Sequence, residues 1–362
     1  MSAEPIVFIN STGNVSGAEA VLLALLELAL SRGHSVTVAC PPGPLVHRLP
    51  PSVRHIILPE LGVAGGAGTV RRAIAGVRMG ARWIRAARLL RPVVQEPGAR
   101  TVVNSLLALP AARLAHPRAG ATWLVHDTVH QRQQRLLVRA SRSGRLRAVA
   151  VSEATAAPLH RIGVPVVVVR HGVRWPVDAA VPGPHDPPVV GCLALLTPWK
   201  GHTVLLDAVG AMPGVRLELA GGAFPADTDY VAALHRRSEQ PDLRGRVRFL
   251  GHVDALDTMQ GWDLAVSAST SPEAGPLAAL EAMSLGVPVV GTDHGGTSAL
   301  LRDGVGILVP PGDAGALAAA LHQALTDSEF RASSRQLARR SVAAHHDLSR
   351  TLPAMLEAVL AR

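Results

Sequence analysis

Lysine is all but absent from this chain: of 36 basic residues 35 are arginine, and the one lysine is Lys200. Aromatic residues make up 3% of the chain, too few for the stacking platforms that nucleic-acid-binding modules use, so no specific nucleic-acid partner is expected. Two cysteines, Cys40 and Cys192, argue against a disulfide framework and fit a reducing compartment. No apolar run reaches the ~20 residues of a membrane span. The longest, Ala20 to Leu30, is broken by Glu27 and lacks the basic lead-in and small-residue cleavage site of a signal peptide, which predicts a cytoplasmic protein. Charge is also sparse, with 17% charged against 48% apolar residues, a balance that excludes a largely disordered chain.

A chain of 362 residues exceeds one ordinary core and suffices for two. Short runs rich in Val, Ile and Ala recur: Ile6 to Asn10, Val36 to Cys40, Thr101 to Asn104, Ala148 to Val151 and Val166 to Val169, then Val189 to Leu193, Arg216 to Ala220, Val247 to Leu250, Leu264 to Ser267 and Val287 to Gly291. Nearly all are apolar on both faces and alternate with helix-length segments such as Glu19 to Arg32 and Thr203 to Met212. That pattern predicts an α/β chain with two parallel sheets, each covered by helices on both sides. Prolines at 176, 182, 184, 187 and 188 can continue neither a helix nor a central strand and place a linker at 175–188. The expected domains are 1–174 and 189–344, with a helix near 345–362 as a candidate to pack back on the first. Two doubly wound, Rossmann-like domains facing across a cleft would present the carboxyl ends of their strands to a shared ligand.

The most informative segment is Ser271 to Gly296, SPEAGPLAALEAMSLGVPVVGTDHGG. It predicts a loop, then a helix with Pro276 in its first position and Gly286 just past its end, then a strand. The free amides at the helix start, those of Leu277 and Ala278, and the positive end of the dipole form an anion site suited to phosphate. Glu281 lies five residues beyond Pro276, roughly 7 to 8 Å along the axis, so Glu273 and Glu281 flank that site. A nucleotide diphosphate sugar spans such a distance, with Glu273 accepting from sugar hydroxyls and Glu281 from a ribose diol. A capped amphipathic helix with a glutamate at each end would read the same way.

The segment resembles the family-4 retaining glycosyltransferases of GT-B fold, whose signature is a glutamate, seven residues, a second glutamate, then EAM and a GVPVV strand. Glu273 and Glu281 match that spacing, and Gly295 with Gly296 match the glycine pair that follows. The resemblance implies that Glu273 contacts the donor sugar, with Gly275 in the same donor loop, and that Glu281 contacts the ribose. TPWKGHTVLLDA, Thr197 to Ala208, resembles the family's lysine-glycine motif, in which the lysine, here Lys200, neutralises the departing diphosphate. Where the family carries a Gly-Arg pair a few residues earlier, this chain has Ala194 and Leu195, so half of the positive clamp is missing. NSTGNVSGAEAVLLAL resembles the family's N-terminal loop, with Gly17 close to the diphosphate. WLVHDTVH places His126 where the family has a polar residue touching the donor sugar. Arg248, Phe249 and Gly251, in RFLGH, lie where the family contacts the nucleobase by backbone.

These likenesses imply an enzyme, a hexosyltransferase that moves a sugar from a nucleotide diphosphate donor to a hydroxyl acceptor with retention. His126, Lys200 and Glu273 are its candidate catalytic residues. It would need no metal and no cofactor beyond the co-substrate, a UDP-sugar ranking ahead of a GDP-sugar. The alternatives are an epimerase or phosphorylase of the same fold, or a non-catalytic basic binding protein. The acceptor belongs to natural-product chemistry, such as antibiotic biosynthesis, or to the cell envelope. Residues 1–175 hold 22 arginines against 7 acids, and the remainder 14 basic residues against 20 acids. Thr69 to Arg91 carries Val70, Ile74, Val77, Ala81 and Ile84 at helical spacing amid seven arginines, and Pro92 is expected to end it. Such a basic helix is either a solvated face or a platform for an anionic acceptor or a peripheral membrane surface. The glycine-rich stretch Gly62 to Gly68 reads as an acceptor loop.

Overall fold

The computed structural model describes residues 4–62, 69–142, 145–175 and 184–361. Residues 63–68 of the acceptor loop read at Gly62 to Gly68, and most of the proline-rich linker, lie outside the described residues. The chain divides into two compact units, Met1–Val169 with Leu352–Arg362, and Arg170–Thr351.

The first unit is built on seven strands: β1 (Ile6–Ile9), β2 (Val36–Cys40), β3 (Arg54–Ile57), β4 (Arg100–Val103), β5 (Ala121–Val125), β6 (Leu146–Ala150) and β7 (Val166–Val168). They form one parallel sheet in the order β3-β2-β1-β4-β5-β6-β7. Every residue of β1 is buried, as a central strand covered on both faces requires. The second unit has six: β8 (Val189–Leu193), β9 (Arg216–Ala220), β10 (Val247–Gly251), β11 (Leu264–Ser267), β12 (Val289–Thr292) and β13 (Ile307–Val309). Their order is β10-β9-β8-β11-β12-β13, again all parallel. Each unit is therefore doubly wound. The direction of winding reverses between β1 and β4 in one and between β8 and β11 in the other, and these are the points at which such sheets leave a crevice for ligands.

Two sequence expectations are corrected. Pro92 does not end its helix, which runs from Thr69 to Val94 with the proline in its last turn, where a missing N–H costs one bond and the chain is about to leave the helix anyway. The buried face of that helix is Met79, Ala86, Ala87, Leu90, Val93 and Val94, whereas Val77 and Ile84 are 75% and 48% exposed. The second correction concerns Pro276. It is the N-cap, with extended backbone at φ −70° and ψ 103°, and Leu277 is the first helical residue.

Candidate functional site

In the second unit the reversal between β8 and β11 gathers the predicted residues. The chain leaving β8 makes a short turn, Pro198–Lys200, and enters helix His202–Gly210 through Gly201. Gly201 has φ +73°, and a Cβ there would stand 2.0 Å from the Ala268 carbonyl oxygen, so only glycine brings this turn against the end of β11. The chain leaving β11 carries Glu273. Lys200 Nζ donates to Glu273 Oε2 at 2.6 Å, and the ammonium lies 4.3 Å from the centre of the Trp199 ring. Glu273 Oε1 accepts from Ser267 Oγ at 3.2 Å and from Ser269 Oγ. Glu273 is 8% exposed. Burial alone would raise its pKa, but the Lys200 charge and the hydrogen bonds from Lys200, Ser269 and Ser267 hold the carboxyl below its ordinary value.

The loop that carries Glu273 is braced from the turn after β12. Thr292 Oγ1 donates to the Ser269 carbonyl at 2.8 Å, His294 Nε2 lies 2.8 Å from the same oxygen, and Gly296 N–H donates to the Glu273 carbonyl at 2.7 Å. Gly295 and Gly296 leave no room for side chains: a Cβ would fall 2.4 Å from the Glu273 carbonyl and 2.3 Å from that of Ala274. Sequence reasoning found the glycine pair but missed Ser267, Ser269, Thr292 and His294. The serines sit six and four residues before Glu273, and nothing in their spacing marks them as carboxylate donors.

Helix Leu277–Leu285 starts directly after this loop, and its N-cap offers no side-chain acceptor to the first amides. Leu277 and Ala278 are half-buried, and Gly275 precedes them beside the ring of His171. Glu281 is half-buried in the same helix, and burial, then the nearby Asp254 charge, raise its pKa to about 7. The second unit thus brings Lys200 and Glu273 into direct contact, with Gly275, Leu277, Ala278 and Glu281 following on the same loop and helix. Arg248 points to solvent and pairs with Glu218 at 2.8 Å, and Phe249 packs on His235, at the edge strand β10. Leu195 is half-buried, and among the described residues no arginine is bonded to Glu273.

The first unit holds the other two residues. Gly17 opens helix Gly17–Ser31, and Gly13 in the same loop is needed for packing: a Cβ there would stand 2.4 Å from the Pro42 carbonyl. His126 follows β5, with Nε2 3.1 Å from Asn104 Oδ1. Asn104 Nδ2 donates to Asn10 Oδ1 at 3.1 Å, and Asn10 Nδ2 donates to Glu19 Oε1 at 3.0 Å. Asn10 and Asn104 directly follow β1 and β4, the two strands flanking the reversal. This buried polar chain escaped sequence reasoning because its members are spread over more than a hundred positions. Among the described residues no cluster of three metal-ligating side chains occurs, and no helix is long and apolar enough to cross a membrane.

Residues 173–341 match the model of the family described as glycosyl transferases group 1. Curated D-inositol 3-phosphate glycosyltransferases of Mycobacterium tuberculosis and Mycobacterium bovis are 34% identical over 167 residues, covering 45% of this chain and 35% of theirs. The chain thus spans about a third of the length of the curated relatives it matches. Among solved structures, HepE of Anabaena, determined with UDP and glucose, superposes with a TM-score of 0.79 at 22% identity, covering 99% of this chain and all of that one. Sucrose-phosphate synthase of Thermosynechococcus elongatus gives 0.81 at 20% identity over 97% of both chains. The fold is that of the GT-B glycosyltransferases.

Proposed function

Residues 173–341 match the model of the glycosyl transferases group 1 family, and we propose that the chain is such an enzyme, transferring a hexosyl group from a nucleotide diphosphate sugar to a hydroxyl with retention at the anomeric carbon. The observation that carries this reading is the Lys200–Glu273 pair at the strand reversal of the second unit, next to an uncapped helix N-terminus. An ammonium and free amides are the groups that stabilise a leaving diphosphate, and they are worth most where water is scarce. In the unliganded protein Glu273 balances the ammonium. A diphosphate takes up part of that charge, and Ser267 and Ser269 keep Glu273 ionised and oriented toward sugar hydroxyls.

Charge neutralisation by Lys200 and the amides supports a reaction that needs no metal. Glu281, on the helix that follows the donor loop, is the candidate to accept from a ribose diol. A UDP-sugar is the first donor to test, since HepE was solved with UDP. The departing phosphate serves as acceptor for the proton of the incoming hydroxyl, as the front-face mechanism of the family requires. For the acceptor, the observation that counts is the exposed face of helix Thr69–Val94. Val77 and Ile84 lie there in water beside Arg78, Arg82, Arg85, Arg88 and Arg91, none paired with a carboxylate among the described residues. Such a face suits an anionic acceptor, soluble or set in a membrane surface, and the curated relatives are named for a phosphorylated acceptor.

Thermal-shift titration tests the reading. UDP and UDP-glucose should raise the melting temperature by mass action, and Lys200→Ala should abolish the shift while leaving a cooperative transition. Release of UDP from UDP-glucose that depends on an added hydroxyl acceptor separates transfer from epimerisation and from simple binding. A protein that melts unchanged with UDP, GDP and their sugars is not this enzyme.

A further inference from the structure

The amino ends of β4, β5 and β6, at the opposite end of the sheet from Asn10, Asn104 and His126, border a cavity of about 300 Å³. Its size is at the small end of the roughly 300–1,000 Å³ of small-molecule sites. Successive side chains of a strand alternate between the faces of its sheet. Val102 stands in register with Thr122, and Thr122 with Arg147, so Arg100, Thr122 and Arg147 share one face. Arg145 shares it too, because the ladder reaches back to it: its carbonyl accepts from Ala121 N–H at 3.1 Å. Leu146, between the two arginines, is buried in the core on the other face. The last helix, Leu348–Leu360, lies against the arginine face, where Arg147 Nη2 reaches the carbonyls of Ala358 and Val359.

Arg100, Arg145 and Arg147 all line this cavity, and no carboxylate is among its lining residues. Arg100 is balanced from the side, its Nε and Nη2 donating to the two oxygens of Glu4 at 2.7 and 3.1 Å. The other two are not. Among the described residues Arg147 is bonded only to the Thr122 hydroxyl and the two helix carbonyls, and Arg145 only to the Arg118 carbonyl. Arg147 is half-buried, and burial, then the Arg100 charge, lower its pKa. A charge withdrawn from water with only neutral partners is costly to hold. We infer that this cavity is an anion site of the first unit, in which the guanidinium forks of Arg145 and Arg147 take a phosphate group. Two unbalanced guanidinium charges match a dianion, and their planar forks match its oxygens. No aromatic residue lines the cavity to hold a nucleobase, so UDP stays a probe of the donor loop. Arg147 also holds carbonyls in the last turn of the final helix, so a bound phosphate ties that helix to the sheet. Neither arginine belongs to the donor machinery, and the site stands or falls apart from the transferase reading.

Thermal melts of the Lys200→Ala protein, whose donor loop has lost its ammonium, read this site alone. At about pH 8, where phosphate is mostly a dianion, inorganic phosphate should raise the melting temperature saturably above the effect of chloride at equal ionic strength. It should also slow limited proteolysis within residues 352–361. Arg145→Glu, a change at an exposed side chain, should weaken the apparent phosphate affinity about tenfold or more. Arg147→Lys, which keeps the charge and loses the fork, should weaken it by a smaller factor. Arg139→Glu makes the same charge change at an exposed position that does not line the cavity, and should leave the affinity as it was. Glycerol 3-phosphate tells the two sources of a phosphate group apart. A larger shift than that of the free ion assigns a phosphomonoester whose organic part lies on Pro165 and Val359, and an equal shift assigns free phosphate; either sustains the site. A phosphate shift no larger than that of chloride, or one that Arg145→Glu and Arg139→Glu reduce alike, overturns it.

Discussion

At the scale of single residues, the chemistry of the second unit turns on two carboxylates that the fold treats in opposite ways. Glu273 is nearly sealed from water but surrounded by Lys200, Ser267 and Ser269, so it stays ionised. Its pairing lends stability above the ordinary glutamate range, which is lost as pH falls through its depressed pKa. Glu281, eight residues later, is half-buried near Asp254 with its pKa raised to about 7 from 4.5. The sign is reversed there: the folded state favours the protonated form, the penalty is absent below about pH 4.5, and it is complete above about 7. Glu281→Gln should therefore raise stability by on the order of 2 kcal/mol near pH 8 and leave it unchanged near pH 4.5, as thermal melts across that range will show. A wild-type and variant pair that separates most at acid pH would contradict this assignment. If Glu281 receives a ribose diol, nucleotide affinity should also weaken as pH drops through about 7, because a protonated carboxyl is a poorer acceptor.

At the scale of elements, the donor loop is set by backbone packing more than by its own residues. Gly295 stands at φ +57° with the Glu273 carbonyl 2.4 Å from the place of its missing Cβ. Gly295→Ala should cost about 1–3 kcal/mol and weaken the UDP thermal shift, since the loop carrying Glu273 must move. Gly222→Ala is the matched control, since nothing lies within 4 Å of a Cβ there; its melt should be within about 0.5 kcal/mol of the wild type. Central elements were legible in the sequence because strands buried on both faces are apolar throughout, as in Ile6 to Ile9 and Val189 to Leu193. The edge strands Arg54–Ile57 and Ile307–Val309 were not: one face of each is open, and the first carries Arg54 and His55. The same holds for helix Thr69–Val94. Its Val77 and Ile84 stand at helical spacing, yet alanines and Leu90 make the core contact, because small side chains allow close approach to the neighbouring helix Leu109–Ala115.

At the scale of the whole molecule, each unit owns a hydrophobic core, and the last residues, Leu352–Arg362, are counted with the first unit. Met355, Leu356 and Val359 are buried there, and Arg147 Nη2 donates to the carbonyls of Ala358 and Val359 at 3.3 and 3.4 Å. Removing residues 352–362 should destabilise the first unit by on the order of 5 kcal/mol, from three apolar side chains no longer buried. Limited proteolysis followed by peptide mapping should show cleavage rising within residues 4–169 and not within the core of the second unit. What the amino-acid order determined alone was local: the apolar runs that become central strands, the glycines and the helix start of the donor loop, and the identity of Lys200, Glu273 and Glu281, since each is written in neighbouring residues. The contact between Lys200 and Glu273, the serines and histidine that hold the loop, and the chain from Glu19 to His126 were decided only by the tertiary structure. They join strand ends that lie far apart in sequence, and parallel winding alone sets which ends become neighbours.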